Sequence, residues 1–216
     1  MRGTPIENWD DLARTHPQLA LVPGALRDAA TEILLGKSDT LCSIGDRPLY
    51  MLCVLEGELR LIRRTENGAS IVLQRATRGF IAEASLEAPR YHCEIVAAEN
   101  TRVLRLPIDG FRRALRDDEA FRNAWMTRLM REVRQLRAQC ERLSLHSAAE
   151  RIEHYIEAEG NNGRFELRQS KKAWAAELAL SHEALYRTLT GMERDGRIRI
   201  EREGDLLVLS IFTRPH

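Results

Sequence analysis

The sequence predicts an α+β protein in three parts: an antiparallel β roll at residues 1–110, a long helix at 111–145, and a head with helices and a β hairpin at 146–216. Three patterns predict this order. Short β-rich runs separated by turn signals fill residues 41–106, an apolar heptad repeat follows at 126–143, and two short helix patterns precede a hairpin pattern at 170–209.

The composition is that of a globular protein that stays out of membranes. With 216 residues, 44% of them hydrophobic and 30% charged, the chain has room for one large domain or two small ones. No apolar run is long enough to span a bilayer, and the N-terminus lacks the apolar stretch of a signal peptide. We therefore expect a cytoplasmic protein without a membrane partner.

The net charge of +1 is divided unevenly along the chain. Residues 1–110 contain 13 Arg and Lys against 15 Asp and Glu, whereas residues 111–216 contain 20 against 17. The modest basic excess therefore lies in the half that would meet phosphate groups if the protein binds nucleic acid.

In the first part of the chain, the sequence pattern changes from helical to strand-and-turn near residue 41. Residues 7–35 look helical, with Pro17 and Pro23 dividing them into short pieces. Strands of four to eight residues with intervening turns then predict an antiparallel roll or barrel. The turn at Glu66-Asn67-Gly68 is a good hairpin signal. The other predicted turns contain Gly45, Gly57 and Gly79.

Residues 110–145 are predicted to form one long helix with a single apolar seam. Six seam residues follow one another at spacings of 3, 4, 3, 4 and 3, which is the a/d pattern of a coiled coil. A seam of this length is better buried against an identical helix than against a roll, so it predicts a homodimer. The alternative is an amphipathic helix that packs within its own chain. The seam residues are Met126, Leu129, Val133, Leu136, Cys140 and Leu143.

The head begins with a predicted helix at 147–159, which Gly160 and the residues after it end. Ser170 then caps a first short helix, and Trp174 and Leu178 face inward. A turn at Ala179-Leu180-Ser181 leads into a second helix, which Ser181 caps. The residues 198–200 and 206–209 after it predict a two-stranded hairpin, with a turn at Glu203-Gly204-Asp205.

The second short helix has two faces of opposite character. Leu185, Leu189 and Met192 form an apolar stripe that must face a core. The other face carries His182, Glu183, Tyr186 and Arg187, and this crowding of polar groups near the N-terminal end suits insertion into a DNA major groove. Arg can bind guanine O6 and N7 together, and Glu can accept from cytosine N4. Candidate phosphate contacts are Ser170, Lys171, Lys172 and Ser181.

The order of these parts resembles the Crp/Fnr superfamily of bacterial transcription regulators. The helix that opens with Ser181-His182-Glu183 and continues to Tyr186-Arg187 is similar to the second helix of the family's winged helix-turn-helix. In the roll, Gly45, Glu56-Gly57, Gly79-Phe80-Ile81 and Glu83 sit at the family's glycine and turn positions. The resemblance covers nearly the whole chain from about residue 40.

This resemblance implies a cyclic-nucleotide-binding-like roll, a homodimer that joins along the long helix, and recognition of a palindromic double-stranded DNA operator. Glu183 and Arg187 occupy the family's base-reading positions, and Tyr186 a position that tunes specificity. The resemblance further implies a contact with RNA polymerase.

The expected effector region departs from the cyclic-AMP-binding members. Those relatives bind the ligand with a Gly-Glu pair, an Arg-Ser pair and hydroxyl residues on the long helix. The corresponding pairs here are Ala82-Glu83, His92-Cys93 and Leu136-Arg137, and only Arg90 could supply the missing guanidinium. We therefore do not expect cyclic AMP. The candidate effector residues are Glu83, Arg90, His92, Cys93, Leu136 and Arg137.

The four cysteines leave several sensing chemistries open. They lie far apart without a CxxC pair, which excludes a disulfide framework or zinc finger. The Fnr branch of the family that the chain resembles binds an iron–sulfur cluster through cysteines near its N-terminus; since none precedes Cys42 here, the resemblance does not imply such a cluster. Cys93 beside His92 and Arg90 predicts a lowered thiol pKa and a redox- or thiol-sensitive site. Cys42, Cys53, His92 and Cys93 could instead bind a soft metal such as Cu(I) or Zn(II). Another small ligand, or no effector and simply buried thiols, are the alternatives.

The sequence thus predicts a homodimeric, sequence-specific DNA-binding transcription regulator controlled by an effector in the roll. The alternative is a module that binds a nucleotide, thiol-reactive compound or soft metal and in which DNA binding is secondary. No nucleophile elbow, phosphate loop or HExxH motif is present, so an enzyme is not expected.

Overall fold

The computed structural model describes residues 3–64, 70–167, 170–204 and 206–211. The chain divides into two compact units, Met1–Thr127 and Arg128–His216. The predicted hairpin turn at Glu66-Asn67-Gly68, and Asp205 of the second predicted turn, lie outside the described residues. Each unit has its own core, and each is described by itself.

The N-terminal segment is only partly helical. It contains β1 (Thr4–Pro5), α1 (Trp9–Thr15), a single 3-10 turn (Pro17–Leu19), α2 (Gly24–Asp28) and β2 (Thr31–Leu35). The helical prediction is therefore wrong for residues 31–35. Ile33 and Leu35 are buried while Leu34 between them is exposed, and this alternation is that of a strand.

The predicted antiparallel roll is confirmed. Two sheets form it, one in the order β1-β2-β9-β4-β7 and one in the order β3-β8-β5-β6, with every pair of neighbouring strands antiparallel. The remaining strands are β3 (Thr40–Cys42), β4 (Tyr50–Glu56), β5 (Leu59–Arg64), β6 (Ser70–Ala76), β7 (Gly79–Ile81), β8 (Glu94–Ala97) and β9 (Thr101–Pro107).

The inward faces of both sheets share one apolar core. Leu52 of β4 lies opposite Ile81 of β7, and Val54 lies opposite Val103 of β9, so alternate residues of three strands meet inside the roll. Gly57 makes the tight turn after β4 at φ +85°, where an added Cβ would collide with the Asn100 carbonyl oxygen. The turn glycine is thus required by both its conformation and the space around it.

The predicted single helix at 110–145 is in fact two helices, α3 (Ile108–Asp117) and α4 (Glu119–Ser144). Asp118 interrupts them with an extended backbone, and its Oδ1 accepts a hydrogen bond from the Phe121 backbone N–H at 2.8 Å. An aspartate that caps a new helix in this way competes with continuation of the old one. No helix in the described part of the chain is long and apolar enough to cross a membrane.

A cluster of aromatic rings fixes α3 and the first turns of α4 to the roll. Phe111 lies edge-on to Phe121 at 5.1 Å and to Trp125 at 4.9 Å between ring centroids, and Trp125 contacts Phe80 of β7 at 5.1 Å. Edge-to-face contacts at these distances add to the stabilisation that burial alone provides. The start of α4 is therefore part of the first unit.

The head contains α5 (Ala148–Glu159), β10 (Arg164–Leu167), α6 (Lys171–Glu177), α7 (His182–Arg194), β11 (Ile198–Glu203) and β12 (Leu206–Ile211). Its sheet has the order β10-β12-β11, so the predicted two-stranded hairpin gains β10 as a third strand. Ser147 opens α5 with a reciprocal capping box to Glu150, and Ser170 and Ser181 cap α6 and α7. The three predicted helix starts are therefore confirmed.

Two alanines adopt a left-handed backbone at turns. Ala179, between α6 and α7, has φ +53°, and Ala82, after β7, has φ +59°. An L-residue with a Cβ is strained in this region, whereas glycine is not.

We expect Ala179→Gly to raise the free energy of unfolding by roughly 0.5–1 kcal/mol, because relief of the left-handed strain exceeds the entropy that glycine loses. Urea denaturation of the full chain measures the change. Ala176→Gly, the same exposed substitution inside α6, is the matched control and should lower stability by up to about 1 kcal/mol. Equal shifts in the two variants would contradict the assigned strain.

Candidate functional site

The predicted base-reading residues share one exposed face of α7. His182, Glu183 and Arg187 are exposed, and the Tyr186 side chain is 43% exposed. The Ser181 Oγ accepts from the Ala184 N–H at 3.0 Å and so fixes the first turn. The opposite stripe of Leu185, Leu189 and Met192 is buried as predicted, and this burial sets the rotation of the helix.

Tyr186 is held between two neighbours on the surface. The His182 ring lies edge-on to it at 4.7 Å between centroids, and the Lys171 Nζ lies 4.4 Å from its ring centroid. A cation over an aromatic face is attracted by the ring quadrupole. Lys171, predicted as a phosphate contact, therefore also supports the phenol ring, whereas Lys172 is exposed beside it.

Glu183 and Arg187 lie one helical turn apart, and within the described residues neither side chain makes a hydrogen bond or ion pair. Arg194 and Arg197 nearby are paired with Asp195 and Glu153. A surface guanidinium without a protein partner can form the two parallel hydrogen bonds that guanine offers. The site can thus present one fork donor and one carboxylate acceptor to the edges of bases.

The C-terminal end of α4 is tied to the first helix of the helix-turn-helix by residues that the sequence did not reveal. Arg142 is only 4% exposed; its Cζ lies 4.5 Å from the Tyr155 ring centroid and its Nη1 lies 3.4 Å from the Glu159 carboxylate. The Tyr155 hydroxyl donates to Glu177 Oε2 at 2.8 Å. Burial raises the Tyr155 pKa, so the phenol stays protonated and remains a donor.

Arg151 makes a second connection. Its Nε donates to the Leu145 carbonyl at 3.1 Å and its Nη1 to the Leu178 carbonyl at 3.3 Å. The segment between α4 and α5 is thereby joined to the end of α6, just before the left-handed turn. No sequence signal distinguishes Arg142 and Arg151 from the many exposed arginines around them.

Arg197 anchors the turn between α7 and β11. Its guanidinium donates to both carboxylate oxygens of Glu153 on α5, at 2.9 and 2.8 Å. The Glu153 hydrogen bond raises the Arg197 pKa, as expected of a two-point pair. Helix α7 is thus held at both ends, by the Ser181 cap and by this pair.

The predicted seam of α4 is uncovered in the single protomer. Met126, Val133, Leu136 and Leu143 are each nearly half exposed, and Leu136 reaches 49%. Cys140 is exposed, and Leu129 is half-buried. A row of apolar side chains of this length exposed to water is a surface on which another helix can pack.

In the roll, the side-chain amide of Gln74 hydrogen-bonds to both members of the Ala82-Glu83 pair. The Gln74 Nε2 donates to Glu83 Oε2 at 2.9 Å, and the Gln74 Oε1 accepts from the Ala82 N–H at 3.0 Å. Arg90, the candidate replacement for the missing arginine, donates to the Gly45 carbonyl at 2.7 Å. Both groups expected to meet an effector are therefore already hydrogen-bonded within the roll.

The other effector candidates differ in burial and in the unit that contains them. His92 is exposed while Cys93 is fully buried, and burial raises the Cys93 pKa despite the nearby Arg63 charge. The predicted lowered pKa is therefore wrong, because desolvation outweighs the positive charge. Leu136 and Arg137 are exposed on α4 in the second unit.

The predicted soft-metal site is not formed. Cys53 is fully buried on β4 in one sheet, and Cys42 is half-buried on β3 in the other. Residues 3–64, 70–167, 170–204 and 206–211 contain no group of three His, Cys, Asp or Glu side chains that could hold a metal ion. Burial also raises the Cys42 pKa to about 11, so this thiol stays protonated near neutral pH.

These features define a class of protein: a β roll, a long helix with an open apolar seam, and a winged helix-turn-helix whose second helix exposes a polar face. Residues 32–118 match the sequence model of the family described as "Cyclic nucleotide-binding domain". No curated protein matches the chain in sequence.

Several solved structures share the fold across both units. FixK2 from Bradyrhizobium japonicum is 20% identical with a TM-score of 0.59, covering 83% of this chain and 92% of its own. DNR from Pseudomonas aeruginosa is 20% identical with a TM-score of 0.52, covering 99% and 97%. CLP from Xanthomonas campestris, a c-di-GMP-responsive global regulator, is 17% identical with a TM-score of 0.53, covering 84% and 94%.

Residues 32–118 are therefore similar to the cyclic nucleotide-binding domain family, and the chain as a whole shares the fold of FixK2, DNR and CLP. The resemblance stated from the sequence is confirmed at this level. Identities near 20% carry the fold and leave the individual residue roles as predictions.

We expect the roll thiols to be unreactive in the folded protein. At pH 7.5 a thiol with a pKa of about 11 is deprotonated roughly 300-fold less than free cysteine, so Cys42 should label slowly, and buried Cys53 and Cys93 should not label. Iodoacetamide labelling followed by mass spectrometry, with and without urea, measures each site. Labelling of native Cys93 at the rate of a free thiol would restore the thiol-sensing hypothesis.

Proposed function

We propose that the protein is a homodimeric, sequence-specific DNA-binding transcription regulator whose β roll senses an effector. The observation that carries the proposal is the face of α7, on which Glu183 and Arg187 are exposed and unpaired among the described residues. Arg187 donates to guanine and Glu183 accepts from cytosine, with His182 and Tyr186 beside them. Ser170, Lys171, Lys172 and Ser181 fix the register through phosphates.

The apolar seam supports the dimer. Two copies that pack along Met126 to Leu143 bury side chains that a single chain leaves nearly half exposed. A two-fold pair of heads reads a palindrome with half-sites about 34 Å apart. A cytoplasmic location and a contact with RNA polymerase follow from the role in transcription and belong to the same proposal.

Control by an effector requires that the ligand bind one arrangement of the protein better than another. Cyclic AMP is not the effector we propose. The Gln74 side chain already hydrogen-bonds to Ala82 and Glu83, and neither His92 nor Cys93 carries a guanidinium that could bind the cyclic phosphate. We propose no catalytic activity.

A second candidate function is a signal-binding module whose helix-turn-helix binds DNA only weakly. It is favoured by the pairing of head arginines with carboxylates, as in Arg164–Glu203 and Arg199–Glu201, which lowers the charge available to phosphates. The two functions differ in salt dependence: operator binding through several phosphates weakens steeply as salt rises.

We expect Arg187→Ala to weaken binding to a selected palindromic operator by about 10-fold or more and to relax preference at one base pair in each half-site, because a bidentate contact to guanine is lost. Selection from a randomised palindrome library followed by fluorescence anisotropy measures both effects. Arg194→Ala, an exposed arginine at the other end of α7, is the control and should keep the base preference. Unchanged affinity and preference in Arg187→Ala would refute the assigned contact.

We expect Leu136→Glu to convert the dimer to a monomer, because two carboxylates would meet in the apolar seam. Gln135→Glu adds the same charge beside the seam and should stay dimeric. Sedimentation velocity gives the mass, and alkylation of Cys140 gives a second measure, since its thiol should be protected in the dimer and reactive in the monomer. A dimeric Leu136→Glu variant with protected Cys140 would eliminate this interface.

A further inference from the structure

We propose that a cleft at one end of the roll binds a small organic carboxylate that carries an apolar body. The cleft has a volume of about 470 Å³ and lies wholly within the first unit. Its walls come from β3, β4 and β9 and from the loop that carries Asp46 and Arg47. The residues that the argument uses are Cys42, Arg47, Leu49, Tyr50, Tyr91 and Arg105.

Arg105 is the centre of this cleft. The residue is 9% exposed, its Nε and Nη2 donate to Thr31 Oγ1 at 3.3 and 3.2 Å, and its Cζ lies 4.6 Å from the Tyr50 ring centroid. These contacts hold the planar guanidinium in one orientation in a wall of the cleft. A fixed guanidinium in partly apolar surroundings matches the two oxygens of a carboxylate better than any other common ligand group.

The charge balance of the lining favours a single negative charge. Arg47 and Arg105 contribute two positive charges and Asp46 one negative charge. The Asp46 Oδ2 accepts from the Ser43 backbone N–H at 2.8 Å, so this carboxylate serves its own loop. The lining thus carries one more positive than negative formal charge, which matches a monocarboxylate more closely than a doubly charged phosphate monoester.

The remaining walls suit an uncharged, apolar ligand body. Leu41, Leu49 and Leu52 line the cleft, and Leu49 is 58% exposed at its rim. On the other side lie the Cys42 thiol and the Tyr91 phenol, whose pKa values are both raised by burial, so both stay neutral at physiological pH. Apolar walls with a few fixed polar groups are typical of sites for small molecules.

This cleft is separate from the effector region that the Crp/Fnr resemblance implies. Glu83, Arg90, His92 and Cys93 do not line it. Binding in the cleft stands independently of the proposed function; only the step from binding to DNA control depends on that function.

Saturation-transfer NMR on the full chain, without DNA, tests the inference with phenylacetate and isovalerate as probes. Phenylacetamide is the neutral isostere, and inorganic phosphate and cyclic AMP are the competing anions. We expect the two carboxylates to bind with dissociation constants of about 10 mM or tighter, and phenylacetamide, phosphate and cyclic AMP at this site to bind about 10-fold more weakly. Equal binding of the amide, preference for phosphate or cyclic AMP, or no carboxylate binding at about 10 mM overturns the proposal.

Three variants locate the binding. Arg105→Lys keeps the charge but loses the fork, and should weaken phenylacetate about 10-fold. Leu49→Asp places a carboxylate at the exposed rim, where the fold is not at risk, and should have a similar effect. Arg14→Gln, which removes an exposed arginine of α1 outside the cleft, should leave binding unchanged. If Leu49→Asp binds phenylacetate like the parent protein, the probe lies elsewhere and the assignment fails.

Discussion

The burial of one face of α7 is the constraint on which the proposed reading of DNA depends. Leu185, Leu189 and Met192 enter the core of the head beside Trp174, and each such side chain contributes roughly 1.5–3 kcal/mol when it leaves water. Exposed polar residues contribute far less to stability. The apolar face therefore decides the rotation of the helix, and Glu183 and Arg187 point outward as a consequence rather than through contacts of their own.

The same core also connects the C-terminal end of α4 to the helices of the head. Tyr155 packs edge-on against Phe165 and Trp174, and it also carries Arg142 on its ring and Glu177 on its hydroxyl. A buried guanidinium is costly unless it is paired, and Arg142 has the Glu159 carboxylate and the Tyr155 ring beside it. These contacts connect the C-terminal end of α4 to α5, and the Tyr155 hydroxyl connects α5 to α6.

The elements that the sequence predicted well are those with clear patterns of apolar residues. The stripe of α7 is determined by one buried face, and β4 and β9 are short runs in which consecutive residues are buried; the sequence displays both patterns directly. The elements it missed depend on individual contacts, distant or local, that leave no periodic pattern. Thr31–Leu35 is a strand because β9 pairs with it, the break at Asp118 depends on a local cap, and the buried state of Arg142 depends on Tyr155. Cys93 was misread for a related reason, since adjacency to His92 and Arg90 in sequence gives no measure of desolvation.

The roll shows why the ligand pocket of its family cannot simply be transferred to this chain. Gln74 supplies, from within the protein, hydrogen bonds to both the Ala82 N–H and the Glu83 carboxylate, so a ligand there would have to displace bonds already made. A ligand in the Arg105 cleft displaces none of them. Arg105 lies on β9, two residues before Pro107, which ends the strand and caps α3. Under the inference above, occupancy of this cleft would therefore act on the strand that leads directly into α3.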